Sequence, residues 1–221
     1  MVSAYYRESV AQGSEFQKDN KSWAGYDVIK YQKKIRDLVQ RYDARTILDY
    51  GCGKGMQYQE RLPYGDPDQP ESEWQTFDQY LGVTVVKYDP CVPGFRRRPG
   101  KLKRFDGVIC TQVLNSIPDD DIPWVRDLLE TYATKFCFIG INFQNEAKSK
   151  KSIYDPEYFR LPRTRQFFRS YFENWQGSDL FWWWKDRPWY PEWMDDQLQG
   201  RWQDVPAQFE GKYKMVEVNH R

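Results

Sequence analysis

At 221 residues and a formal net charge of +1, the chain can bury one sizeable core and leaves little for a second independent domain. Its 33 basic and 32 acidic residues nearly cancel, which removes any global field for a polyanion. No apolar run approaches the roughly 18 residues of a membrane span and the first residues lack the apolar core of a secretion signal, so a cytoplasmic chain off the membrane is expected.

The periodicity predicts the following order of elements. Residues 4–12 read as a short helix. Residues 27–42 read as a longer one: Asp27 can cap it, and Val28, Tyr31, Ile35, Leu38, Val39 and Tyr42 share one face at spacings of three and four. Residues 46–50 form a strand, residues 54–61 open the next helix, and residues 63–75, with three prolines and four acids, are a loop. Strands follow at 83–89 and 106–111. Residues 119–134 are a helix capped within Asp119-Asp120-Asp121, with Pro123 in its first turn. Residues 135–142 are a buried strand, and no internal repeat is visible.

The chemistry concentrates in residues 46–55, Thr-Ile-Leu-Asp-Tyr-Gly-Cys-Gly-Lys-Gly. An apolar run ends in Asp49 and breaks into Gly51-x-Gly53-x-Gly55, glycines that let the backbone turn out of a strand and approach a ligand, with the unpaired N–H groups of the next helix behind them. Residues 84–89, Thr-Val-Val-Lys-Tyr-Asp, form a second β-branched run ending in a carboxylate suited to two ribose hydroxyls. Strand, glycine turn, helix, strand, acid is a nucleoside-binding layout and predicts a doubly wound α/β domain. A dinucleotide site wants Gly-x-Gly-x-x-Gly. Here the third glycine follows a single residue, and Asp49 stands where it would repel a pyrophosphate but not a cation.

These residues resemble the class I S-adenosylmethionine-dependent methyltransferases, whose first motif has the acid-x-Gly-x-Gly form. The likeness is closer to a small phage and bacterial branch with Leu-Asp-Tyr-Gly-Cys-Gly-Lys-Gly followed by Gln-Tyr, here Leu48 to Gly55 and then Gln57-Tyr58. Tyr88-Asp89-Pro90 with Val92-Pro93-Gly94, and residues 105–111, Phe-Asp-Gly-Val-Ile-Cys-Thr, resemble the same branch, so the likeness covers roughly residues 1–145. The resemblance implies a Rossmann-like class I methyltransferase fold that binds S-adenosylmethionine. It places Asp49 near the methionine amino group and Gly51, Cys52 and Gly53 against the cofactor. Asp89 falls on the ribose hydroxyls, Pro90 beside the adenine, and Thr111 and Gln112 at the methionine end. It also implies that the 27–42 helix lies beside the pocket.

Two departures stand out. Only fifteen residues separate Asp89 from Phe105, too few for a helix–strand–helix unit, so the middle of the fold is abbreviated and the adenine contact is open. Within that connection Arg96, Arg97, Arg98, Lys101, Lys103 and Arg104 read either as a solvated loop or as a phosphate contact for the acceptor. Where related enzymes carry Asp-Val-Leu-Glu-His-Ile-Pro, this chain has Gln112-Val-Leu-Asn115-Ser116-Ile-Pro, with no titratable base. No catalytic residue is assigned. Methyl transfer from a sulfonium can proceed largely by positioning, worth up to ~7–11 kcal/mol in favourable cases. No (Asp/Asn/Ser)-Pro-Pro-(Tyr/Phe) turn follows Cys110, and Cys110 is preceded by Ile109 at the end of an apolar run rather than by the proline of a cytosine-C5 nucleophile, which disfavours base methylation of either kind. Its single histidine, His220, stands near the end of the sequence. Cys52, Cys91, Cys110 and Cys137 have no metal-ligand spacing and read as buried thiols, so no metal is expected.

After Asn142 the resemblance fades. Residues 1–145 are expected to form the S-adenosylmethionine-binding domain and residues 146–221 an aromatic-rich C-terminal appendage packed on it. Phe167, Phe168, Tyr171, Phe172 and Trp175 group at helical spacing, followed by Phe181-Trp182-Trp183-Trp184 and Trp189-Tyr190-Pro191-Glu192-Trp193. These rings either complete the core or form an acceptor-binding lid with Arg163, Arg165 and Arg169. Successive side chains of a strand point oppositely, so some of the consecutive tryptophans are expected to meet solvent, a ligand or a partner. The expected function is methyl transfer from S-adenosylmethionine to a small-molecule or phosphorylated acceptor, favoured over nucleic acid. The alternative is a non-catalytic S-adenosylmethionine sensor or scaffold with an aromatic partner surface. Another reaction of the sulfonium, lysis or decarboxylation, stays open.

Overall fold

The computed structural model describes residues 3–4, 6–7, 10–11, 13–14, 24–66, 68–143, 165–186 and 213–218. Six strands form one sheet: β1 (Thr46–Tyr50), β2 (Thr84–Tyr88), β3 (Phe105–Thr111), β4 (Ala133–Phe143), β5 (Asp179–Asp186) and β6 (Tyr213–Val218). Their order is β2-β1-β3-β4-β5-β6; the first five run parallel, and β6 pairs antiparallel with β5 at the edge. This is a Rossmann-like α/β architecture, in which parallel strands buried on both faces read as apolar runs. Residues 136–141 of β4, Phe-Cys-Phe-Ile-Gly-Ile, are all buried.

Each face of the sheet carries its own core. On one side lie a 3-10 turn (Tyr26–Tyr31), α1 (Gln32–Arg41) and α2 (Phe77–Leu81), where Val28, Tyr31, Ile35 and Leu38 pack on Ile47, Ile109, Phe138 and Phe181. On the other lie α3 (Ile122–Tyr132) and α4 (Arg165–Phe172), with Tyr6 of the N-terminal segment. The apolar face expected over residues 27–42 is therefore present, but its first turn is 3-10, with Gly25 at the N-cap. Asp27 makes no capping bond; it pairs with Lys30 at 2.5 Å. Residues 4, 6, 7, 10 and 11 are helical, in line with the short N-terminal helix. The helix expected to begin near Asp119 starts at Ile122 behind a 3-10 turn (Asp119–Asp121) and carries Pro123 in its first turn, without a side-chain cap.

The helix expected at residues 54–61 does not form. A single 3-10 turn (Met56–Tyr58) stands there, preceded by Gly55 in the left-handed region (φ 66°). Gln57 and Tyr58 are adjacent and both buried, because each reaches back to Asp49. A regular helix turns neighbouring side chains about 100° apart, which works against burying both on one inward point. The short helix α2 was not anticipated, although Thr76 and Gln79 form a reciprocal capping box at its start.

The abbreviated middle is as expected. Residues 90–104 contain no helix and no strand, so β2 is the sheet edge, with an alternating and half-open burial pattern. The described part of the aromatic C-terminal stretch belongs to the core. β5 continues the sheet, and its alternation sends Phe181 into one core and Trp182 into the other. Both rings are buried because the sheet is covered on both faces at this point. Phe168, Phe172 and Trp175 are buried too, which favours core over lid for this group. The side chains of Trp183 and Trp184 lie outside the described residues, as do residues 146–152, Arg163, Trp189, Tyr190, Trp193 and His220.

Candidate functional site

In the order β2-β1-β3, the chain leaves β1 for one side and later returns on the other, which opens a crevice at the carboxyl ends of these strands. Open parallel sheets bind ligands at such switch points. A cavity of about 130 Å³ lies there, walled by residues that follow β1 (Gly51, Cys52, Gly53), β2 (Asp89, Pro90, Cys91) and β3 (Gln112, Val113). All eight residues singled out from the sequence, Asp49, Gly51, Cys52, Gly53, Asp89, Pro90, Thr111 and Gln112, line this one cavity.

The glycine turn is shaped by backbone requirements. Gly51 (φ 85°) and Gly53 (φ 58°) occupy the left-handed region, where side chains are disfavoured. A Cβ on Gly51 would lie 2.1 Å from Val113 Cγ2, so the turn after β1 can pass against the turn after β3 only without one. The turn's donors are spent inside the protein. Gly51 and Cys52 N–H both donate to Tyr88 O (2.7 and 3.2 Å), Gly53 N–H to Asp89 Oδ2 (3.0 Å), Gly55 N–H to Cys52 O (3.2 Å) and Met56 N–H to Ala24 O (2.9 Å). With no helix behind it and these amides engaged, the turn is not a phosphate cradle of the kind that presents free N–H groups to an anion.

Charge points the same way. Among the described residues the cavity wall holds Asp27, Asp49 and Asp89 and no lysine, arginine or histidine. Asp49 is buried, and its Oδ2 accepts hydrogen bonds from Tyr58 OH (2.7 Å) and Gln57 Nε2 (3.2 Å). Burial raises its pKa to about 7; the nearby Asp89 charge adds to the rise, while the two hydrogen bonds oppose it. Asp89 is held by Gly53 N–H on Oδ2 and by Cys91 N–H on Oδ1 (2.8 Å), and burial raises its pKa against those bonds. Each carboxylate oxygen can accept two hydrogen bonds, so both carboxylates keep capacity for a ligand. Two adjacent buried carboxylates with no cation on the wall suit a ligand that brings positive charge and hydroxyl donors.

At the end of β3, Gln112 adopts φ 57°, uncommon outside glycine and of the kind that gathers at functional sites. Its N–H donates to Gly140 O (2.8 Å), its Nε2 to Tyr31 OH (2.8 Å), and its Oε1 accepts from Asn115 Nδ2 (3.4 Å). Tyr31 comes this close because β4 has glycine at position 140, where a Cβ would sit 2.8 Å from the ring. The amide is therefore clamped between two elements before any ligand arrives. Cys52 and Cys91 also face the cavity, but burial pushes the Cys91 thiol up to about 12 and the Cys52 thiol higher, so both stay protonated at neutral pH. All four cysteines are free and buried, as expected. Among the described residues no cluster of His, Cys, Asp or Glu could hold a metal.

Sequence reasoning missed several wall residues. Tyr6 and Val10 close the cavity from the N-terminal segment, whose Ser3 is tied to Asp121 through its N–H (2.9 Å) and Oγ (2.5 Å). Gly25, Asp27, Cys91, Ser116 and Ile117 complete the wall. Nothing local marks Tyr6 or Val10; only the tertiary path of the segment brings them here. At about 130 Å³ the cavity is smaller than the ~300–1,000 Å³ usual for small-molecule sites, so a ligand of nucleoside size would have to displace part of this wall. No family model, curated protein or solved structure matches the chain. No helix among the described residues is long and apolar enough to cross a membrane.

Proposed function

We propose that this protein binds S-adenosylmethionine in the crevice between β1 and β3 and transfers its methyl group to a small-molecule or phosphorylated acceptor. One observation carries the reading: among the described residues the only charged side chains on a nucleoside-type crevice are carboxylates, and the amides of Gly51, Cys52, Gly53 and Gly55 are bonded internally. A ligand bearing an ammonium, a sulfonium and ribose hydroxyls, with no phosphate, suits such a wall. A dinucleotide does not.

In this reading Asp49 meets the methionine ammonium and Asp89 accepts the ribose hydroxyls through the capacity that its backbone bonds leave. Pro90 borders the adenine, while Thr111 and Gln112 border the methionine end. S-adenosylmethionine supplies an activated methyl on its sulfonium when bound. The protein's part is to position the acceptor and exclude water, since among the described residues the wall offers no histidine, lysine or reactive thiol. Calorimetry of the wild type and Asp89→Asn tests the reading. Micromolar one-site binding, weakened at least tenfold in the variant, is expected. A well-folded protein that binds no S-adenosylmethionine at millimolar ligand would overturn it.

A second reading rests on a specific observation: positions 112, 115 and 116 carry Gln, Asn and Ser, and the Gln112 amide is already clamped by Tyr31 and Asn115. That arrangement suits a sensor that holds the ligand without consuming it. Release of S-adenosylhomocysteine on incubation with candidate acceptors separates the two readings; a sensor releases none.

A further inference from the structure

The connection from β2 to β3 begins at the cavity wall with Pro90 and Cys91 and ends at Phe105, the first residue of β3, at the opposite end of the sheet. Between them, residues 96–104 carry six cations and no acid, while all 32 acidic residues lie elsewhere. The rest of the chain is thus net negative, and the positive charge is gathered on one flank. Arg96, Arg97, Lys101, Lys103 and Arg104 are exposed and Arg98 is half-buried. Among the described residues, none of the six forms an ion pair.

The connection is nevertheless anchored. Asp89 N–H donates to Phe95 O (3.1 Å), Tyr132 OH to Pro99 O (2.8 Å), and Lys103 N–H to Gly100 O (2.9 Å). Arg104 folds onto its own loop, donating to Lys101 O (2.8 Å) and Lys103 O (2.9 Å). Arg98 lies over the Trp124 ring (5.4 Å to the centroid), and that ring packs edge-on against the cavity residue Tyr6 (5.4 Å). Like charges gathered on a pinned segment without carboxylate partners repel one another, so the arrangement favours an external anion.

The layout narrows the anion. A single phosphate is gripped by convergent donors, whereas Arg96 and Arg97 precede the turn at residues 100–103 and Lys101 and Lys103 lie on it, which spreads the exposed cations along the segment as a backbone of several phosphates requires. A membrane surface needs apolar anchors beside the cations, and Leu102 and Val86 are the only large exposed hydrophobics among the described residues. We propose that residues 96–104 form a track for the sugar–phosphate backbone of a nucleic-acid strand, leading along the flank to the cavity mouth. The track is a second binding site whose existence does not depend on what the cavity holds.

Fluorescence anisotropy with a labelled, mixed-sequence single-stranded 20-mer tests this on the full chain. Binding should be detectable at 50 mM salt and weaken about 50-fold by 200 mM, the salt response of about four displaced counterions on a single strand. Changing Arg96, Arg97, Lys101 and Lys103 together to Gln should abolish binding without moving the melting temperature. Arg96→Lys with Arg97→Lys should retain it. A control with the same charge change elsewhere, Lys33, Lys34, Arg45 and Arg169 to Gln, should bind nearly as the wild type does. The proposal is overturned if the two quadruple variants lose binding equally, if the track variant binds as the wild type, or if the wild type binds anionic vesicles but not the oligonucleotide.

Discussion

Two regions of this molecule bury their side chains by opposite means. Around β4, β5 and α4, rings fill the core: Trp175, for instance, is buried, stacks with Phe172 (5.8 Å between centroids) and satisfies its Nε1–H on Ser178 O at 2.8 Å. At the carboxyl ends of β1, β2 and β3 the same sheet instead buries two carboxylates and holds Gly51, Gly53 and Gln112 at positive φ. The first arrangement stabilises the fold and asks for no ligand. The second costs stability, and such costs gather where function needs them. The strand ends, rather than the more conspicuous aromatic C-terminal stretch, therefore carry the proposed site.

If that contrast is right, substitutions in the two regions should fail differently. Trp175→Ala has the largest expected effect on stability, a loss of about 3–5 kcal/mol by chemical denaturation, because a buried indole leaves a cavity. The residual folded protein should bind S-adenosylmethionine as before. Asp49→Asn should do the reverse. It removes a carboxylate that burial disfavours, so at pH 8 it should stabilise the fold by on the order of 2–4 kcal/mol, the free energy of a rise of about three pKa units. It should also weaken the preference for a cationic ligand, leaving Asp89 and Asp27 on the wall.

The wild type should show the matching pH signature. With a folded pKa of about 7 against an ordinary value of 3.8, the native state binds the Asp49 proton more tightly than the unfolded chain does. This group's cost to stability is therefore full above pH 7 and is relieved as pH falls from about 7 to 4. Affinity for a cation should move the other way, declining below pH 7 as Asp49 is neutralised. Calorimetric titrations between pH 5.5 and 8.5 check both signs, and Asn at position 49 should flatten both curves.

Asp89→Asn should cost roughly 10- to 100-fold in ligand affinity, one charge-assisted bond. Its effect on stability should be smaller: Asn offers one acceptor oxygen to the Gly53 and Cys91 amides, but it no longer buries a charge. Gln112→Gly has the smallest expected effect on stability. Relief of the left-handed backbone, about 1 kcal/mol, nearly offsets loss of the bond to Tyr31. A clear drop in affinity with an unchanged melting temperature would assign Gln112 to the ligand.

Much of this contrast was legible in the sequence, for physical reasons. The strands that end in Asp49 and Asp89 are short β-branched or apolar runs and Gly51-x-Gly53-x-Gly55 announces its own backbone, so these residues could be placed together from order alone, whereas Cys52, Pro90, Thr111 and Gln112 are placed by the resemblance. Local signals failed where tertiary contacts decide. Gln57 and Tyr58 looked like part of a helix and are instead drawn in to Asp49, which removes the helix. Which rings of the Phe181-Trp182 pair enter which core could not be read locally, because nothing near them reveals that α4 covers the second face of the sheet. The left-handed Gln112 carries no sequence mark, and Tyr6 reaches the cavity only through the fold. The capping box of Thr76 and Gln79 was present in the sequence and overlooked.

The most direct test of the central claim is side-by-side calorimetry of the wild-type protein at pH 8 with S-adenosylmethionine and with a nicotinamide dinucleotide. The carboxylate wall and the spent amides of the glycine turn predict micromolar binding of S-adenosylmethionine and none of the dinucleotide. Dinucleotide binding equal to or tighter than that of S-adenosylmethionine would contradict the account of the cavity.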